Sequence, residues 1–470
     1  MASLNLYKRM PSKTSQAVGI AGILALVCCL LKAGPGTESV DAKSMSEHGS
    51  ATSGSTWVAK EVRSPPLSTL VRVTPGKWRG GSRTTGWHGS LLSRKTNAKD
   101  CVHWAVITSI FGPTKLTVQL SKTDGWCTVV VGDRKSPTKD DWVRTFTDLG
   151  GNVTALHFLS ADDQGGLPFQ TTEMVPWNHF GRKNVGYLYA IAHGAQVIYD
   201  TDDDNELKEP NPGIHLAKAA SSLMMGASSH CHRLAAPAPD VYNPYPGFAQ
   251  PDPAKERQTW PRGFPLDRIK DNSTHGPPVI QADCSSTAII QSLADNDPDV
   301  DAIYRMTQPL PLNFLETPCL VDLPPGTMAP FNAQATLYHK DAFWGLLLPI
   351  SVHGRVSDIL RSFLVQRLLW ETGRTLTFSQ PFVKQVRNAH KYLADFVAEE
   401  PLYTKSGELV RFLRDWHAPG GPLFEKMLAL TSKMFQLGII EKEDVFLMRS
   451  WINDLNALQY TWPLGVSTLD

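Results

Sequence analysis

Four aspartates follow a short apolar run near the middle of this chain. Residues 196–199 are Gln-Val-Ile-Tyr, and Asp200, Asp202, Asp203 and Asp204 come directly after them. Crowded carboxylates repel one another, and burying them costs free energy unless a cation or hydrogen-bond donors neutralise them. Carboxylate oxygens are the ligands that Mg²⁺ and Mn²⁺ prefer. The pattern therefore predicts a divalent-metal site of the Asp-x-Asp type, with a solvated acidic turn as the alternative.

Each aspartate has a predicted role in such a site. We expect Asp202 and Asp203 to ligate Mn or Mg, with Asp204 as an additional ligand. We expect Asp200 to meet the ribose or the base of a nucleotide-sugar donor. In this arrangement the metal ion bridges the diphosphate of the donor and stabilises the leaving nucleotide.

The residues before the acidic run predict a helix with a basic N-terminus. Within residues 181–194, apolar side chains recur at the spacing of one buried helical face, and Gly194 supplies a C-terminal stop. Arg182 and Lys183 open this helix, where the macrodipole disfavours cations unless an anion is bound there. We therefore predict that Arg182 and Lys183 face a donor diphosphate and that Asn184 holds the donor by hydrogen bonds. The alternative is a basic surface corner.

Two further strands are predicted upstream, which together indicate a parallel sheet. Residues 127–133 form a β-branched run ending in Gly-Asp, and residues 154–159 resemble a second strand, with a short helix over 140–149 between them. The carboxyl end of the first strand places Asp133 in a nucleotide crevice. The chain has neither Gly-x-Gly-x-x-Gly nor a P-loop motif, which argues against dinucleotide-binding and P-loop enzymes.

Composition limits the class of protein and its partners. The chain has 470 residues, of which 42% are hydrophobic and 19% are charged, so most of it should fold. Its formal net charge is +1, which gives no bulk attraction to nucleic acid. We therefore expect no nucleic-acid partner.

The N-terminal hundred residues predict a membrane tether. Lys8, Arg9 and Lys13 precede an uncharged segment, so we predict a cytosolic tail at 1–13, a transmembrane signal-anchor at 14–33 and a flexible stem at 34–100. The apolar heart of the anchor, residues 17–31, is shorter than the ~20 residues of a typical span. A cleaved signal peptide is the alternative. The predicted orientation is single-pass type II, with the bulk of the chain in the lumen.

The glycosylation sequons and the cysteines give information about the cellular compartment of the chain. Asn152 and Asn272 each begin an Asn-x-Thr sequon, as expected for glycosylation in a lumenal setting. Five cysteines lie outside the apolar segment, at positions 101, 127, 231, 284 and 319. Five is odd, so at most two disulfides and one leftover thiol are expected within one chain.

Several segments together resemble one known family, the STELLO glycosyltransferases. They are residues 129–133, 182–188, 198–203, 331–339, 341–344, 355–361 and 366–371. The resemblance extends discontinuously over about residues 100–470, and residues 206–325 align poorly. It implies a Golgi membrane enzyme of the GT-A type, with a nucleotide-sugar donor, a glycan or glycoprotein acceptor, and an association with polysaccharide synthases.

The resemblance also assigns residues outside the acidic run. Asp358, near the start of a helix predicted over 356–370, is the candidate general base that deprotonates the acceptor hydroxyl. The alternative is a helix N-terminal acid that complements the macrodipole. His339 and His353 are candidates for a further metal ligand, with ordinary core or surface histidines as the alternative.

We therefore expect a GT-A-like (Rossmann-like) α/β fold, with a mixed, mostly parallel sheet flanked by helices. The glycosyltransferase domain is predicted at 101–380 and a helical C-terminal subdomain at 381–470, with a homodimer as a further hypothesis. Two alternative functions remain: a mutase that isomerises free UDP-sugar, and a non-catalytic Golgi assembly factor for polysaccharide synthases.

Overall fold

A computed structural model describes most of the chain after residue 100. The described residues are 101–208, 214–225, 231–248, 258–275, 279–316, 320–387 and 390–465. The predicted cytosolic tail, anchor and stem lie outside them, as does Cys319. Within the described residues, no helix has the length and apolar character needed to cross a membrane.

Eleven strands of the described chain form one sheet. Along the chain they are β1 His103–Thr108, β2 Trp126–Val131, β3 Leu156–Leu159, β4 Val197–Thr201, β5 Asn205–Leu207, β6 Cys231–Leu234, β7 Val279–Gln281, β8 Thr287–Asp295, β9 Leu320–Asp322, β10 Ala335–His339 and β11 Thr375–Gln385. Their spatial order is β3-β2-β1-β4-β10-β8-β11-β9-β6-β7, and β5 pairs with β11.

Helices cover both faces of this sheet. Along the chain they are α1 Lys115–Ser121, α2 Lys139–Asp148, α3 Ala161–Gly165, α4 Gln170–Met174, α5 Lys183–Ala192, α6 Ile214–Met225, α7 Tyr245–Phe248, α8 Ala302–Thr307, α9 Gly354–Leu369, α10 Tyr392–Asp415, α11 Leu423–Gln436 and α12 Lys442–Ala457. Short 3₁₀ helices occur at Phe180–Arg182, directly before α5, and at Lys340–Leu346.

Alternation along β1 shows why the sheet is buried on both faces. Trp104 and Val106 belong to one hydrophobic core, whereas Ala105 and Ile107 belong to the other. Gly186 lets α5 approach the first of these faces, because a Cβ there would lie 2.7 Å from methyl groups of both Val106 and Val131. A larger residue at this position would therefore push α5 off the sheet.

The directions of the strands determine which strand ends lie together at one edge of the sheet. Strands β3, β2, β1 and β4 are all parallel, β10 runs antiparallel between β4 and β8, and β11 is parallel to β8. The carboxyl ends of β2, β1, β4, β8 and β11 and the start of β10 therefore share one edge. Chain order reverses between β1 and β4, the kind of position at which open α/β sheets bind ligands.

The predicted mixed α/β sheet with flanking helices is confirmed. The predicted elements at 127–133, 140–149, 154–159 and 181–194 correspond to β2, α2, β3 and α5 with its preceding 3₁₀ turn. Strand β1, which precedes β2 in the chain and lies between β2 and β4, was not predicted from the sequence. The start of the predicted helical subdomain, residue 381, falls inside β11, and the helices begin only at Tyr392.

The described residues contain two disulfides, the maximum expected from the sequence. One joins Cys101 to Cys127 and the other joins Cys231 to Cys284. Asn152 and Asn272 are both exposed, which leaves their predicted glycosylation sterically open.

Candidate active site

A cavity of about 420 Å³ lies along the shared edge of the sheet. Ser109 follows β1, Asp133 follows β2, and residues 202–204 follow β4 on its wall. The N-terminus of α9 and the residue pair Asn332 and Gln334, just before β10, complete it. The tertiary structure thus brings together acidic and amide side chains that are more than 200 residues apart in the sequence.

The acidic run after β4 contributes three carboxylates to this cavity. Ser109 donates its hydroxyl to Asp203 Oδ2, and Gln385 Nε2 donates to Asp204 Oδ2 at 3.0 Å. Asp204 Oδ1 is buried without a hydrogen-bond partner. Burial raises the pKa of Asp202 to about 7, although Lys183 acts in the opposite direction. Burial likewise raises the pKa of Asp203, against the hydrogen bond from Ser109.

Asp200 and Lys183 lie beneath the cavity rather than on its wall. Both side chains are fully buried, and Lys183 Nζ lies 2.7 Å from Asp200 Oδ1 and 3.1 Å from Asp202 Oδ1. Lys183 also donates to the carbonyl of Ala333 at 2.8 Å, and Arg361 Nη2 lies 3.0 Å from Asp200 Oδ2. Two cations and two carboxylates thus form a buried network that joins α5, β4 and α9.

This network corrects two predictions. Asp200 cannot meet the ribose or base, because both of its oxygens face buried cations and it does not line the cavity. Lys183 does not line the cavity either, but its ammonium holds Asp202 at the cavity floor. The sequence correctly marked both residues as charges that need a partner. In the fold, however, these charges pair inside the protein and do not contact a donor.

Arg182 and Asn184 are also turned into the protein. Arg182 Nη1 donates to the carbonyls of Thr172 and Val175 at 3.0 Å each, and the guanidinium lies 4.0 Å from the Trp177 ring centroid. Burial lowers the pKa of Arg182 to about 10. Asn184 makes a reciprocal pair of hydrogen bonds with the backbone of Leu348. Neither residue lines the cavity, so their predicted contacts with a donor are corrected to loop-anchoring roles.

Asp133 lies on the cavity wall, where the sequence placed it. Its Oδ1 accepts from the backbone N–H groups of Arg134 at 2.6 Å and Asn178 at 2.8 Å, and its Oδ2 accepts from that of His179 at 3.3 Å. Asn178 has a positive φ of 55°, a conformation that asparagine tolerates better than most residues. Asp133 therefore fixes the turn that presents Asn178 and His179 to the cavity.

Asp358, the fifth residue of α9, lines the cavity, but it is held in an ion-pair cluster. Arg262 Nη1 donates to its Oδ1 at 3.0 Å and Arg262 Nη2 to its Oδ2 at 2.9 Å. The same guanidinium donates to both oxygens of Asp299 at 2.8 Å. Burial alone would lower the pKa of Arg262, yet the two carboxylates hold it well above its ordinary value. Burial favours the neutral form of Asp299, but the attraction and the hydrogen bonds of Arg262 outweigh burial and lower the pKa of Asp299 to about 2.

The two candidate histidines lie at opposite edges of the sheet. His353 caps the N-terminus of α9 and lines the cavity. His339 ends β10, where it pairs with Val197, while Ala335 pairs with Thr201 beside the acidic run. Four residues of strand, about 13 Å, separate His339 from the cavity edge. His339 is therefore excluded as a ligand of a metal held by Asp202.

The cavity residues that were not singled out from the sequence include four polar residues that hydrogen bonds link to Asp358. They are Arg262, Asp299, Asn332 and Gln334. Arg262 and Asp299 lie in the Pro-rich segment that has no clear motif, so no local signal marks them. Asn332 and Gln334 belong to a segment that carries the family resemblance, and this resemblance is the sequence feature that could have identified them as site residues.

The acidic end of β4 fits a divalent cation that shares its ligands with a substrate. The described residues contain no group of three or more His, Cys, Asp or Glu side chains placed to hold a metal by themselves. Mg²⁺ and similar ions, however, usually bind one or two carboxylates together with substrate phosphates and water. Asp202 and Asp204, with the unpartnered Oδ1 of Asp204, meet that requirement.

Comparison with known proteins identifies relatives of this chain. Residues 355–468 match a family described as STELLO glycosyltransferases. "Probable glycosyltransferase STELLO1" of Arabidopsis thaliana is 34% identical over 368 residues, which are 77% of this chain and 45% of that protein. "Probable glycosyltransferase STELLO2" of the same plant is 33% identical over 370 residues, with the same coverage. The chain thus spans about half the length of these relatives.

One solved structure is also similar in outline. It is a mannosyltransferase, PcManGT from Pyrobaculum calidifontis, in complex with GDP-Man and Mn²⁺. The match covers 80% of this chain and 97% of that one, at 10% identity and a TM-score of 0.30. At that TM-score we draw no conclusion from the likeness.

Proposed function

This chain is a member of the STELLO glycosyltransferase family, and on that premise we propose that it moves a sugar from a nucleotide-sugar donor to a glycan or glycoprotein acceptor. The observation that carries the proposal is the acidic end of β4. It places Asp202 and Asp204 in a cavity at the point where the strand order reverses. A diphosphate with a divalent cation is the ligand whose charge matches these carboxylates.

The two ends of the cavity suit different parts of the donor. Ser109, Phe111, Asp133 and Lys135 line the β1–β2 end, where hydroxyl, aromatic and charged groups can hold a nucleoside. Asp202 and Asp204 would hold Mn or Mg, which when bound supplies positive charge to the leaving diphosphate. Asp203 is tied to Ser109, so we assign it the positioning of the loop after β1.

Asp358 is the proposed base for the acceptor hydroxyl. Arg262 fixes the orientation of this carboxylate, since both oxygens accept from the guanidinium. The proton transfer needs an acceptor hydroxyl that is positioned at the cavity wall within hydrogen-bond reach of Asp358. Direct attack assisted by Asp358 inverts the configuration at the sugar carbon.

The cellular compartment of the chain is also a proposal, and it is supported by the disulfides. Two disulfides within the described residues favour an oxidising environment, because cytosolic thiols are kept reduced. We accordingly propose a Golgi-lumen location, with the predicted segment 14–33 as the membrane anchor. An association with polysaccharide synthases and a homodimer remain hypotheses carried by the resemblance and by the sequence.

A nucleotide-release assay tests the proposed activity. Purified protein is incubated with Mn²⁺, a panel of nucleotide-sugar donors and glycan acceptors, and release of nucleoside diphosphate is measured. We expect acceptor-dependent release, and we expect Asp358→Asn to slow it by about 10²–10⁴-fold because the base is lost. Absence of release with every donor and acceptor would refute the transferase. Acceptor-independent conversion of one UDP-sugar into an isomer would instead establish a mutase.

The raised pKa of Asp202 predicts a pH dependence of metal binding. A divalent cation must displace the proton from Asp202, whose pKa is about 7. Below pH 7 we therefore expect the apparent affinity for Mn²⁺, with UDP present, to fall by up to about tenfold per pH unit. Above pH 7 the affinity should level off. Titration of Mn²⁺ by electron paramagnetic resonance from pH 5.5 to 8.5 measures this, and in Asp202→Asn the decline between pH 7 and pH 5.5 should become shallower.

A further inference from the structure

The cavity wall beyond Asp204 is built from three amides, one carboxylate and one guanidinium. This distal wall consists of Arg262, Asp299, Asn332, Gln334 and Gln385. Each of these residues is buried, with at most 8% of its surface exposed. Such side chains offer both donors and acceptors, which is the pattern that sugar hydroxyls require.

Hydrogen bonds within the protein hold the distal wall in place. Asn332 Nδ2 donates to Asp299 Oδ2 at 2.8 Å, and the backbone N–H of Gln334 donates to Asn332 Oδ1 at 3.1 Å. Gln334 Nε2 donates to Asn205 Oδ1 at 3.1 Å, and Gln385 bridges to Asp204. Because these groups are fixed before any ligand enters, they lose little conformational entropy on binding.

The guanidinium of the distal wall already has its counter-charges. Arg262 lies between Asp299 and Asp358, so this cluster carries one net negative charge. A carboxylate on a ligand would therefore find no uncompensated cation at Arg262.

The two arginines at the rim of the same end are also paired. Arg355 contacts Glu399 and lies 3.6 Å from Asp395. Arg387 lies 3.4 Å from Asp297, which also contacts Arg305. Around this end of the cavity the described ion pairs thus join four guanidiniums to five carboxylates. Of the lysines and arginines that line the cavity, the remaining one is Lys135, which lies at the far β2 end.

We propose that the distal wall binds a neutral sugar ring through its hydroxyls and discriminates against sugars that carry a carboxylate. This inference rests on the proposed function and adds the substrate class to it. A uronate placed here would face Asp299 and Asp358, and like charges across a binding site reduce affinity strongly. Neutral hydroxyls can instead donate to the lone pairs of Asp299 and accept from the amide groups.

Binding measurements with matched sugars test the proposal. Dissociation constants of UDP, UDP-glucose and UDP-glucuronate are measured by calorimetry on the full chain with Mn²⁺. In a second arm, methyl glucoside and methyl glucuronoside are titrated into the protein saturated with UDP. We expect the neutral member to bind at least about tenfold more tightly in one arm, which also identifies whether the ring belongs to the donor or the acceptor.

Equal affinities, or tighter binding of the uronate, in both arms would overturn the inference while leaving the transferase proposal standing. Failure of UDP and both UDP-sugars to bind would overturn both.

Asp299→Asn tests the effect of the negative charge of the Arg262 cluster separately from the shape of the site. It is isosteric and leaves Arg262 paired with Asp358, so the cluster becomes neutral. We expect the preference for the neutral sugar to shrink by about tenfold, whereas Asp148→Asn, at an exposed carboxylate on α2, should leave it unchanged. Should Asp299→Asn fail to fold, Asn332→Asp provides the opposite test, because an added carboxylate should widen the preference. An unchanged preference in a folded variant at either position would contradict the assignment.

Discussion

Replacing Asp202 with alanine is expected to reduce nucleotide release by about 10²–10³-fold, the usual effect of removing one group that stabilises developing charge. Asp202 combines a position on the cavity wall with a side chain that is 34% exposed, so its second oxygen can reach a bound cation. Asp200 cannot take over this role, because it is fully buried and paired with Lys183. The initial rate of nucleoside diphosphate release at saturating Mn²⁺ measures the effect.

Controls separate lost chemistry from lost structure. Asp124→Ala removes an exposed carboxylate from a turn and should leave the rate within about twofold of the wild type, since such surface changes alter stability little. Asp202→Asn keeps a group that Lys183 can contact but removes the negative charge, so its rate should fall nearly as far. If Asp202→Ala retains nearly full, Mn²⁺-dependent activity while folded, the cation is held elsewhere.

Replacing Arg262 with methionine is expected to lower the free energy of unfolding by about 3–5 kcal/mol, because two buried carboxylates then lack a partner. Asp299 and Asp358 have only 7% and 4% of their surface exposed, so water cannot replace the guanidinium. The variant should also lose transferase activity, because the side chain of Asp358 would no longer be held in its orientation by the guanidinium. Urea denaturation followed by circular dichroism gives the change in unfolding free energy.

The same substitution at a surface arginine provides the comparison. Arg414 is 44% exposed at its side chain, and Arg414→Met should change the unfolding free energy by no more than about 0.5 kcal/mol. The triple variant Arg262→Met, Asp299→Asn, Asp358→Asn removes the unpaired charges and should recover part of the loss. A small effect of Arg262→Met, comparable with that of Arg414→Met, would show that the ion-pair cluster does not stabilise the fold.

Local pattern was enough to predict much of the site's framework. The apolar run before Asp200, the helical periodicity before it and the β-branched run before Asp133 predicted β4, α5 and β2, because strand and helix periods are local properties. Since acids at the ends of parallel strands meet at one edge, the sequence also predicted that Asp133 and Asp202–Asp204 lie near one another. The cavity confirms that proximity.

Side-chain direction and long-range partners were decided by the tertiary structure. The sequence indicated that Arg182, Lys183 and Asn184 begin a helix near an acidic site, but it could not show which of them faces solvent. In the fold, Lys183 meets Asp200 from α5, Arg361 meets it from α9, and Arg182 turns toward Trp177. Burial then favours pairing these charges with each other over leaving them for a ligand.

By itself, the sequence determined the α/β class, the acidic strand end and the family, because these depend on periodicity and on short motifs. Only the tertiary structure decided which carboxylates reach the cavity: it buried Asp200, left Asp202 and Asp204 on the cavity wall, and placed His339 at the opposite edge. It also supplied Arg262 and Asp299, which no motif marks. The physical reason is that a carboxylate's role depends on its partners and its solvent, and here those partners come from residues up to 181 positions away.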